Sequence, residues 1–207
     1  MSRILVYNLL EQSDRLADHN RRVLFDEARV TLEKAVGPVL EIGSLCGGSS
    51  LALMAAICAT GNRCPLVTVD PFTPNFSLSK PDFEGLMPRF NGYYAQMEKT
   101  LAKASEDSGV YHVHYKVTDD DYMNHVWHTA HFLGKEPVTE PKFAFVHLDG
   151  GHEMGSEERQ VKWFAPRLLP EGNLLVDDVM PDRPDKLKDF LLGLGGRMCA
   201  ETEWVLR

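Results

Sequence analysis

Three aspartates stand where two apolar segments end, and their types and spacing suggest chemistry at one place. Asp149 follows the apolar run 143–148, and the pair Asp177 and Asp178 follows the run 173–176. If both runs are neighbouring parallel strands, their carboxyl ends meet at the same edge of the sheet. Three carboxylates brought together raise one another's pKa unless a cation lies between them, and hard oxygen ligands suit Mg²⁺. The pattern predicts a Mg²⁺ site; capping of the following helices by these side chains is the alternative.

A glycine-rich turn follows the first apolar strand. The segment from Val39 to Ser49 has the sequence VLEIGSLCGGS, and its glycines let the backbone turn tightly and approach a ligand at the carboxyl edge of the sheet. Nicotinamide dinucleotide sites carry G-x-G-x-x-G, whereas the glycines here fall as G-x-x-x-G-G with an acid two residues before the first. We therefore expect a small molecule other than a dinucleotide. The alternative is a turn that only connects a strand to a helix, with Asp70 as an ordinary loop acid.

This turn resembles the first motif of the class I S-adenosylmethionine-dependent methyltransferases, in which an acid and then glycines follow the first strand. The stretch from Glu41 to Ser49 is especially similar to that of catechol O-methyltransferases. The resemblance implies that Gly43, Gly47 and Ser49 line the methionine end of the cofactor. It also implies that Glu41 orders the turn or meets the amino group of the cofactor. Asp70, which ends the second strand, would accept hydrogen bonds from the ribose hydroxyls.

The aspartate cluster is similar to that of metal-dependent O-methyltransferases of the catechol and macrolide-sugar types. Those enzymes place metal ligands at the same two strand ends, with the spacing that separates Asp149 from Asp177 here. Their third ligand is Asn in the catechol enzymes, so Asp178 is closer to the sugar-modifying group. The Asp-Gly-x-His, Pro-x-Gly and Asp-Asp motifs also match the wider family, and the similarity runs from about Val39 to Val179, which is most of the chain.

The resemblance assigns roles to two further residues. His152 lies three residues after Asp149, where catechol methyltransferases have a general-base Lys and some macrolide-sugar methyltransferases a His. An imidazole beside a metal-bound hydroxyl can take its proton near neutral pH. Glu153 is the reserve candidate, and a structural or adenine-neighbouring role for His152 is the alternative. Asp119, after the third strand, would lie near the adenine, although a solvated acidic turn or a helix cap explains residues 119–121 equally well.

The expected reaction is methyl transfer from S-adenosylmethionine to a hydroxyl of a small molecule, with a sugar or a natural product as the preferred acceptor. Mg²⁺ would bind one or two substrate oxygens and lower the pKa of the hydroxyl, as metals do for bound water. The oxyanion would then attack the sulfonium methyl in line. Two competing interpretations are a nicotinamide-dependent Rossmann-like oxidoreductase and a non-catalytic binding protein that keeps the methyltransferase fold.

The elements that must position these residues alternate along the chain. Apolar strands are predicted at 38–42, 66–69, 111–117, 143–148 and 173–176, and helices at 14–34, 51–58, 90–104, 121–132, 156–169 and 186–194. Ser13 is the expected N-cap of the first helix. Strands that are apolar throughout, without alternating polar residues, and that are separated by helices are typical of a parallel sheet covered on both faces. We expect an α/β, Rossmann-like methyltransferase fold with a mostly parallel six- or seven-stranded sheet. Residues 71–88 are predicted to form a lid, and residues 195–207 a final strand or a short hairpin.

Composition limits the remaining possibilities. The 207 residues suit one domain, with an N-terminal helical segment over 1–36 and the core over 37–207. A net charge of −8 without a basic stripe argues against nucleic acid as a partner. Four cysteines without metal-knuckle spacing indicate reduced thiols and a cytoplasmic location. The apolar run 4–10 is too short to cross a bilayer, so no membrane partner is expected. Because the C-terminal tail is short, the acceptor side is either open or completed by a partner chain, as in a homodimer.

Overall fold

The computed structural model describes residues 3–16, 21–73, 80–126, 142–150, 155–179, 187–199 and 204–206. These residues form a seven-stranded sheet with the strand order β3-β2-β1-β4-β5-β7-β6. The strands are β1 (Val39–Ile42), β2 (Leu66–Val69), β3 (His112–Tyr115), β4 (Phe143–Leu148), β5 (Leu168–Val176), β6 (Arg197–Met198) and β7 (Trp204–Leu206). Strands β1 to β5 pair in parallel, and β7 is antiparallel to both β5 and β6. The predicted α/β, Rossmann-like fold is confirmed, and the C-terminal tail forms a short antiparallel pair.

Helices cover both faces of this sheet. They are α1 (Arg3–Leu16), α2 (Arg22–Leu32), α3 (Gly48–Thr60), α4 (Lys80–Ser108), α5 (Asp119–Asp121), α6 (Ser156–Phe164) and α7 (Leu187–Gly193), and α5 continues as a π-helical turn, Tyr122–Val126. Val39 of β1 packs in the apolar cluster that contains residues of α1 to α4, whereas Leu40 packs in the cluster that contains residues of α6 and α7. Because successive side chains of a strand point to opposite faces, strands buried on both sides must be apolar throughout.

Helix α3 carries no polar face, and its packing fixes the glycine turn that precedes it. All residues from Leu51 to Cys58 are buried, because the sheet lies on one side of α3 while α1, α2 and α4 pack on the others. Burying one Leu, Ile or Met side chain stabilises the fold by about 1.5–3 kcal/mol. The predicted buried helix is therefore confirmed, and its first turn is held rigidly at the edge of the sheet.

The N-terminal segment differs from the prediction of one helix over 14–34 that begins at an N-cap Ser13. Two helices are present instead, since α1 ends at Leu16 and α2 begins at Arg22. Ser13 is buried inside α1, and its hydroxyl donates to the carbonyl oxygen of Gly48 at 2.6 Å. A buried hydroxyl needs a hydrogen-bond partner, and the backbone next to the glycine turn supplies it. The apolar run 4–10 docks on the domain, with Leu9 in the core.

Two helix boundaries were also predicted wrongly. Helix α4 begins at Lys80 rather than at residue 90 and continues through Pro88, so part of the predicted lid is helical, while residues 74–79 lie outside the described part. The helix predicted over 156–169 ends at Phe164, followed by a 3-10 turn that contains Pro166, and β5 already begins at Leu168. Among the described helices, even the 29-residue α4 is not long and apolar enough to span a membrane.

Candidate active site

The carboxyl ends of β1 and β4 form a topological switch point, because α3 after β1 and α6 after β4 pack on opposite faces of the sheet, and ligands of open α/β sheets bind at such points. Gly43, directly after β1, has φ +88° and lies against the end of β4. A Cβ at this position would stand 1.9 Å from the carbonyl oxygen of Asp149. Any side chain would therefore collide with the backbone of β4. The glycine turn and a predicted metal ligand are in direct contact.

Asp70, at the end of β2, is bonded to the glycine turn. Its Oδ2 accepts from the N–H groups of Ser44 at 3.0 Å and Leu45 at 2.9 Å, and its Oδ1 accepts from the N–H of Phe72 at 2.7 Å. Burial raises the pKa of Asp70, and the three backbone hydrogen bonds oppose that rise. Leu45 has φ +41°, a conformation that L-residues adopt at a cost. The Asp70 carboxylate therefore holds the turn in this conformation.

Glu41, in β1, is a charged group inside the sheet rather than at its surface. It is fully buried and accepts hydrogen bonds from the hydroxyls of Ser50 and Ser49, and its Oε1 lies 3.2 Å from Nδ1 of His147 on β4. Burial alone would raise the pKa of Glu41, but the bonds to His147, Ser49 and Ser50 lower it below its ordinary value. The ionised Glu41 carboxylate thus links the start of α3 to β4 through hydrogen bonds.

Gly47 and Ser49 lie where the turn becomes α3. Gly47 precedes the helix with φ +85°, and its N–H donates to the carbonyl oxygen of Ser44 at 2.7 Å. Ser49 is buried in the first turn of the helix. The first amide groups of a helix lack partners within it and favour negative charge. The four predicted residues Glu41, Gly43, Gly47 and Ser49 therefore belong to one continuous segment that runs from β1 through the turn into α3.

Asp149 and Asp177 converge at the ends of β4 and β5, and a residue that the sequence analysis did not consider joins them. A ring nitrogen of His147 and a carboxylate oxygen from each of the two aspartates all lie within 4.8 Å of one another. His147 and Asp149 are two residues apart, so a strand places them on the same face. Asp178 does not belong to this group of atoms; its φ is +56° and its N–H donates to Oδ1 of Asp177 at 2.8 Å.

Arg21, just before α2, supplies a positive charge to the aspartate pair. Its Nη1 lies 3.0 Å from Oδ2 of Asp177 and 3.5 Å from Oδ2 of Asp149, and the Arg21 side chain is only 12% exposed. Burial opposes the charged form of Arg21, but the charges of Asp149, Asp177 and Glu41 outweigh it and raise the pKa of Arg21. The guanidinium therefore offsets part of the carboxylate repulsion for which the sequence analysis invoked a metal.

The buried charges shift the pKa values of both residues on β4. Burial, together with the charge of Asp177, raises the pKa of Asp149 to about 6, although His147 and Arg21 act in the opposite direction. Burial alone would lower the pKa of His147, but the hydrogen bond that its ring N–H donates to Glu41 and the charge of Asp149 raise it. Perturbed titratable groups at the carboxyl edge of a parallel sheet are typical of functional sites.

The acidic run after β3 is held by neighbouring side chains. Oδ2 of Asp119 accepts from Nε2 of Gln160 on α6 at 2.7 Å. Asp120 forms an ion pair of 3.0 Å with Arg159. The N–H of Asp121 donates to the hydroxyl of Thr118 at 3.1 Å, which caps α5. Asp119 is thus fixed against α6, and Asp121 takes part in the capping that was the alternative interpretation.

His152 and Glu153, the candidate bases, lie outside the described residues.

Two residues of the site were missed by the sequence analysis. His147 carried a usable signal, because it is the only polar residue in the run from Phe143 to Leu148 and lies two positions before Asp149. Arg21 carried none, since only the tertiary packing of α2 against the sheet brings it to the aspartates.

Comparisons with known proteins agree with this geometry. The family model described as a methyltransferase domain matches residues 40–179. No curated protein sequence matches the chain significantly. Among solved structures, the calicheamicin methyltransferase CalS11 has a TM-score of 0.67 at 18% identity, covering 93% of this chain and 80% of that chain.

Two further structures share the fold. An apo structure of CalS11, named there as a TDP-rhamnose 3'-O-methyltransferase of calicheamicin biosynthesis, has a TM-score of 0.55 at 15% identity and covers 93% of this chain and 81% of that chain. The O-methyltransferase TomG from Streptomyces achromogenes, involved in tomaymycin synthesis and solved with S-adenosylmethionine, has a TM-score of 0.54 at 18% identity, covering 100% and 90% of the two chains. At these identities the similarity is one of fold.

Proposed function

Because the chain belongs to the methyltransferase-domain family and is a class I S-adenosylmethionine-dependent methyltransferase, we propose that it methylates a hydroxyl of a small molecule with the help of a divalent cation. The observation that carries this proposal is the convergence of Asp149 and Asp177 beside the glycine turn. CalS11, which shares the fold, is named for a sugar acceptor, and TomG is an O-methyltransferase. A sugar or a natural-product hydroxyl is accordingly the proposed acceptor.

The glycine turn and the start of α3 are the proposed cofactor site. The residues assigned to it are Gly43, Gly47, Ser49 and Asp70, with Glu41 ordering the turn from inside the sheet and Asp119 approaching from the end of β3. Asp70 is the natural partner for the ribose hydroxyls, because it stands at the end of the strand next to β1. In the described conformation its Oδ2 accepts hydrogen bonds from the N–H groups of Ser44 and Leu45. Ribose binding would therefore share or replace these two hydrogen bonds.

The aspartate pair fits a divalent cation. Asp149 and Asp177 already bind one cationic group, the guanidinium of Arg21, with oxygens from both carboxylates. Asp178 would join them as a third oxygen ligand if its carboxylate turned toward the pair. When bound, such a cation supplies the positive charge that lowers the pKa of a coordinated hydroxyl.

His152 is the proposed general base, since it follows Asp149 by three residues in the sequence. Its imidazole would take the proton of the acceptor hydroxyl, and the oxyanion would then attack the sulfonium methyl. The remaining task of the protein is to hold nucleophile, methyl group and sulfur in line at near-contact distance. Gly43 serves this alignment, because it keeps the cofactor turn in contact with the end of β4.

Direct measurement of methyl transfer tests this proposal. The purified chain would be incubated with S-adenosylmethionine and a panel of nucleotide sugars, catechols and polyketide alcohols, and S-adenosylhomocysteine release would be measured with and without a chelator. We expect release with a hydroxyl acceptor, loss of release in chelator, and recovery on adding a divalent metal. Asp149→Asn should lower turnover by at least about 10²-fold, because the variant loses one anionic metal ligand.

The matched control is Asp26→Asn, which removes an acid on the exposed surface of α2, where the Asp26 side chain is 66% exposed. This variant should keep full turnover. Undiminished turnover in chelator would discard the role of the metal, whereas binding of S-adenosylhomocysteine without turnover on any acceptor would favour a non-catalytic protein.

A further inference from the structure

Resting on the metal-dependent function proposed above, we infer that His147 is a metal ligand and that its Nε2 completes a His147–Asp149–Asp177 site. The three side chains offer ligand atoms within 4.8 Å of one another. Metal–ligand bonds of about 2.0–2.2 Å place neighbouring ligand atoms about 3 Å apart. The widest of these separations would have to shorten by up to about 1.8 Å to enclose an ion.

The unpartnered nitrogen of His147 is the observation that points to a ligand. Nδ1 of His147 lies 3.2 Å from Oε1 of Glu41, which engages one of the two ring nitrogens. The other nitrogen, Nε2, is buried and has no hydrogen-bond partner among the described residues. The side chain is only 1% exposed, so solvent does not satisfy this atom. Buried polar atoms are rarely left unpaired, and a metal ion would use the free lone pair.

Glu41 is the carboxylate that would orient His147 for metal binding. Such histidines usually donate their second ring N–H to a carboxylate or carbonyl, which fixes the tautomer and makes the free nitrogen a better ligand. Glu41 is fully buried, and the Ser50 hydroxyl donates to its second oxygen. Its position is thus set by the fold, and the Nδ1–H tautomer of His147 leaves Nε2 free for the ion.

This donor set changes which metal we expect. Mg²⁺ prefers oxygen ligands and retains several waters, whereas an imidazole nitrogen with two carboxylates suits first-row transition metals such as Mn²⁺. We therefore assign Mn²⁺ a higher affinity than Mg²⁺ at this site. The oxygen-only set of Asp149, Asp177 and Asp178 would discriminate less between the two ions, because carboxylate oxygens suit both Mg²⁺ and Mn²⁺.

Arg21 competes with the ion for the same oxygens. Its Nη1 contacts Oδ2 of both Asp149 and Asp177, so an incoming ion must displace the guanidinium from at least one of them. The Nε of Arg21 is buried without a hydrogen-bond partner among the described residues, which leaves the guanidinium incompletely held. Removing the Arg21 charge should therefore tighten metal binding.

Direct metal binding tests the inference without reference to activity. Mn²⁺ binding would be measured by the loss of the free Mn²⁺ signal in electron paramagnetic resonance, with Mg²⁺ as competitor, on the full chain and its variants. We expect Mn²⁺ to bind more tightly than Mg²⁺, His147→Gln to weaken Mn²⁺ by at least about 10-fold, Glu41→Gln to weaken it by about 10–100-fold, and Arg21→Gln to strengthen it. The His147 variant should also lose most of the Mn²⁺ preference, because Gln replaces a nitrogen ligand by an oxygen.

His112→Gln is the matched control, since it removes another buried histidine of the same sheet, and it should leave Mn²⁺ affinity unchanged. Pulsed electron paramagnetic resonance of the wild-type chain gives a second measurement if His147→Gln fails to fold. Nitrogen coupling to Mn²⁺ should be present and should persist in His152→Ala.

Full Mn²⁺ affinity in a folded His147→Gln variant, or the absence of nitrogen coupling in the wild type, overturns the assignment of His147 and leaves the proposed methylation intact. No metal binding by the wild type overturns both the assignment and the metal part of the proposed function.

Discussion

Gly43→Ala tests the contact between the cofactor turn and the end of β4. An L-residue at a left-handed φ costs about 1–2 kcal/mol, and the added Cβ would stand 1.9 Å from the carbonyl oxygen of Asp149 and 2.8 Å from Cα of Gly150. Overpacking of this kind costs about 1–3 kcal/mol more. We expect a loss of about 2–5 kcal/mol in the free energy of unfolding, measured by urea denaturation. S-adenosylhomocysteine affinity should fall by at least about 10-fold, because the turn is displaced.

Gly61→Ala is the matched control for this substitution. Gly61 ends α3 with φ +72°, but a Cβ there would meet no atom within 4 Å. It therefore carries the same backbone penalty without the collision, about 1–2 kcal/mol, and should keep full S-adenosylhomocysteine affinity in calorimetry. Equal losses of stability in the two variants, or unchanged cofactor affinity in Gly43→Ala, would refute the argument that the turn and β4 act as one unit.

Three further outcomes are expected. Ser13→Ala should lose about 0.5–1.5 kcal/mol in urea denaturation, because the bond to the Gly48 carbonyl disappears; an unchanged midpoint would mean that this bond does not hold α1. His112 and His114 share the hydroxyl of Thr68, and burial lowers both pKa values from 6.5 to about 4. The unfolded chain takes up these protons first, so stability should fall as pH drops from 6.5 to 4, by at most about 1.4 kcal/mol per pH unit and histidine. Replacing both with Gln should flatten that part of the profile. His152→Ala should lower kcat by on the order of 10²-fold while cofactor affinity is kept; an unchanged kcat excludes the base role.

Local patterns were enough to predict the sheet and the turn. The apolar composition of β4 and of α3 predicts that both elements are buried. The glycines of the segment between β1 and α3 predict a tight turn. The parallel pairing of the strands follows from these alternating elements, because parallel strands need crossovers. The convergence of Asp149 and Asp177 followed in turn, since both stand at strand ends.

Other features depend on tertiary contacts and could not be predicted in this way. Arg21 reaches the aspartates only because α1 and α2 are two separate helices. The Ser13 side chain was predicted to cap a helix, but it is bonded to the carbonyl oxygen of Gly48. The start of α4 was placed too late, since Pro88 normally ends a helix, yet α4 continues through it. Asp178 was grouped with its neighbour although its backbone turns at φ +56°.

The contacts of Ser13 and Arg21 change what counts as the smallest working unit of this protein. The family model begins at residue 40, but a fragment cut there would lack the hydroxyl that braces the start of α3 and the guanidinium that neutralises Asp149 and Asp177. Such a fragment would lose only Val39 from the strands of the sheet and would still leave the two carboxylates facing each other without their counter-ion. Expression boundaries for this chain should therefore include both N-terminal helices.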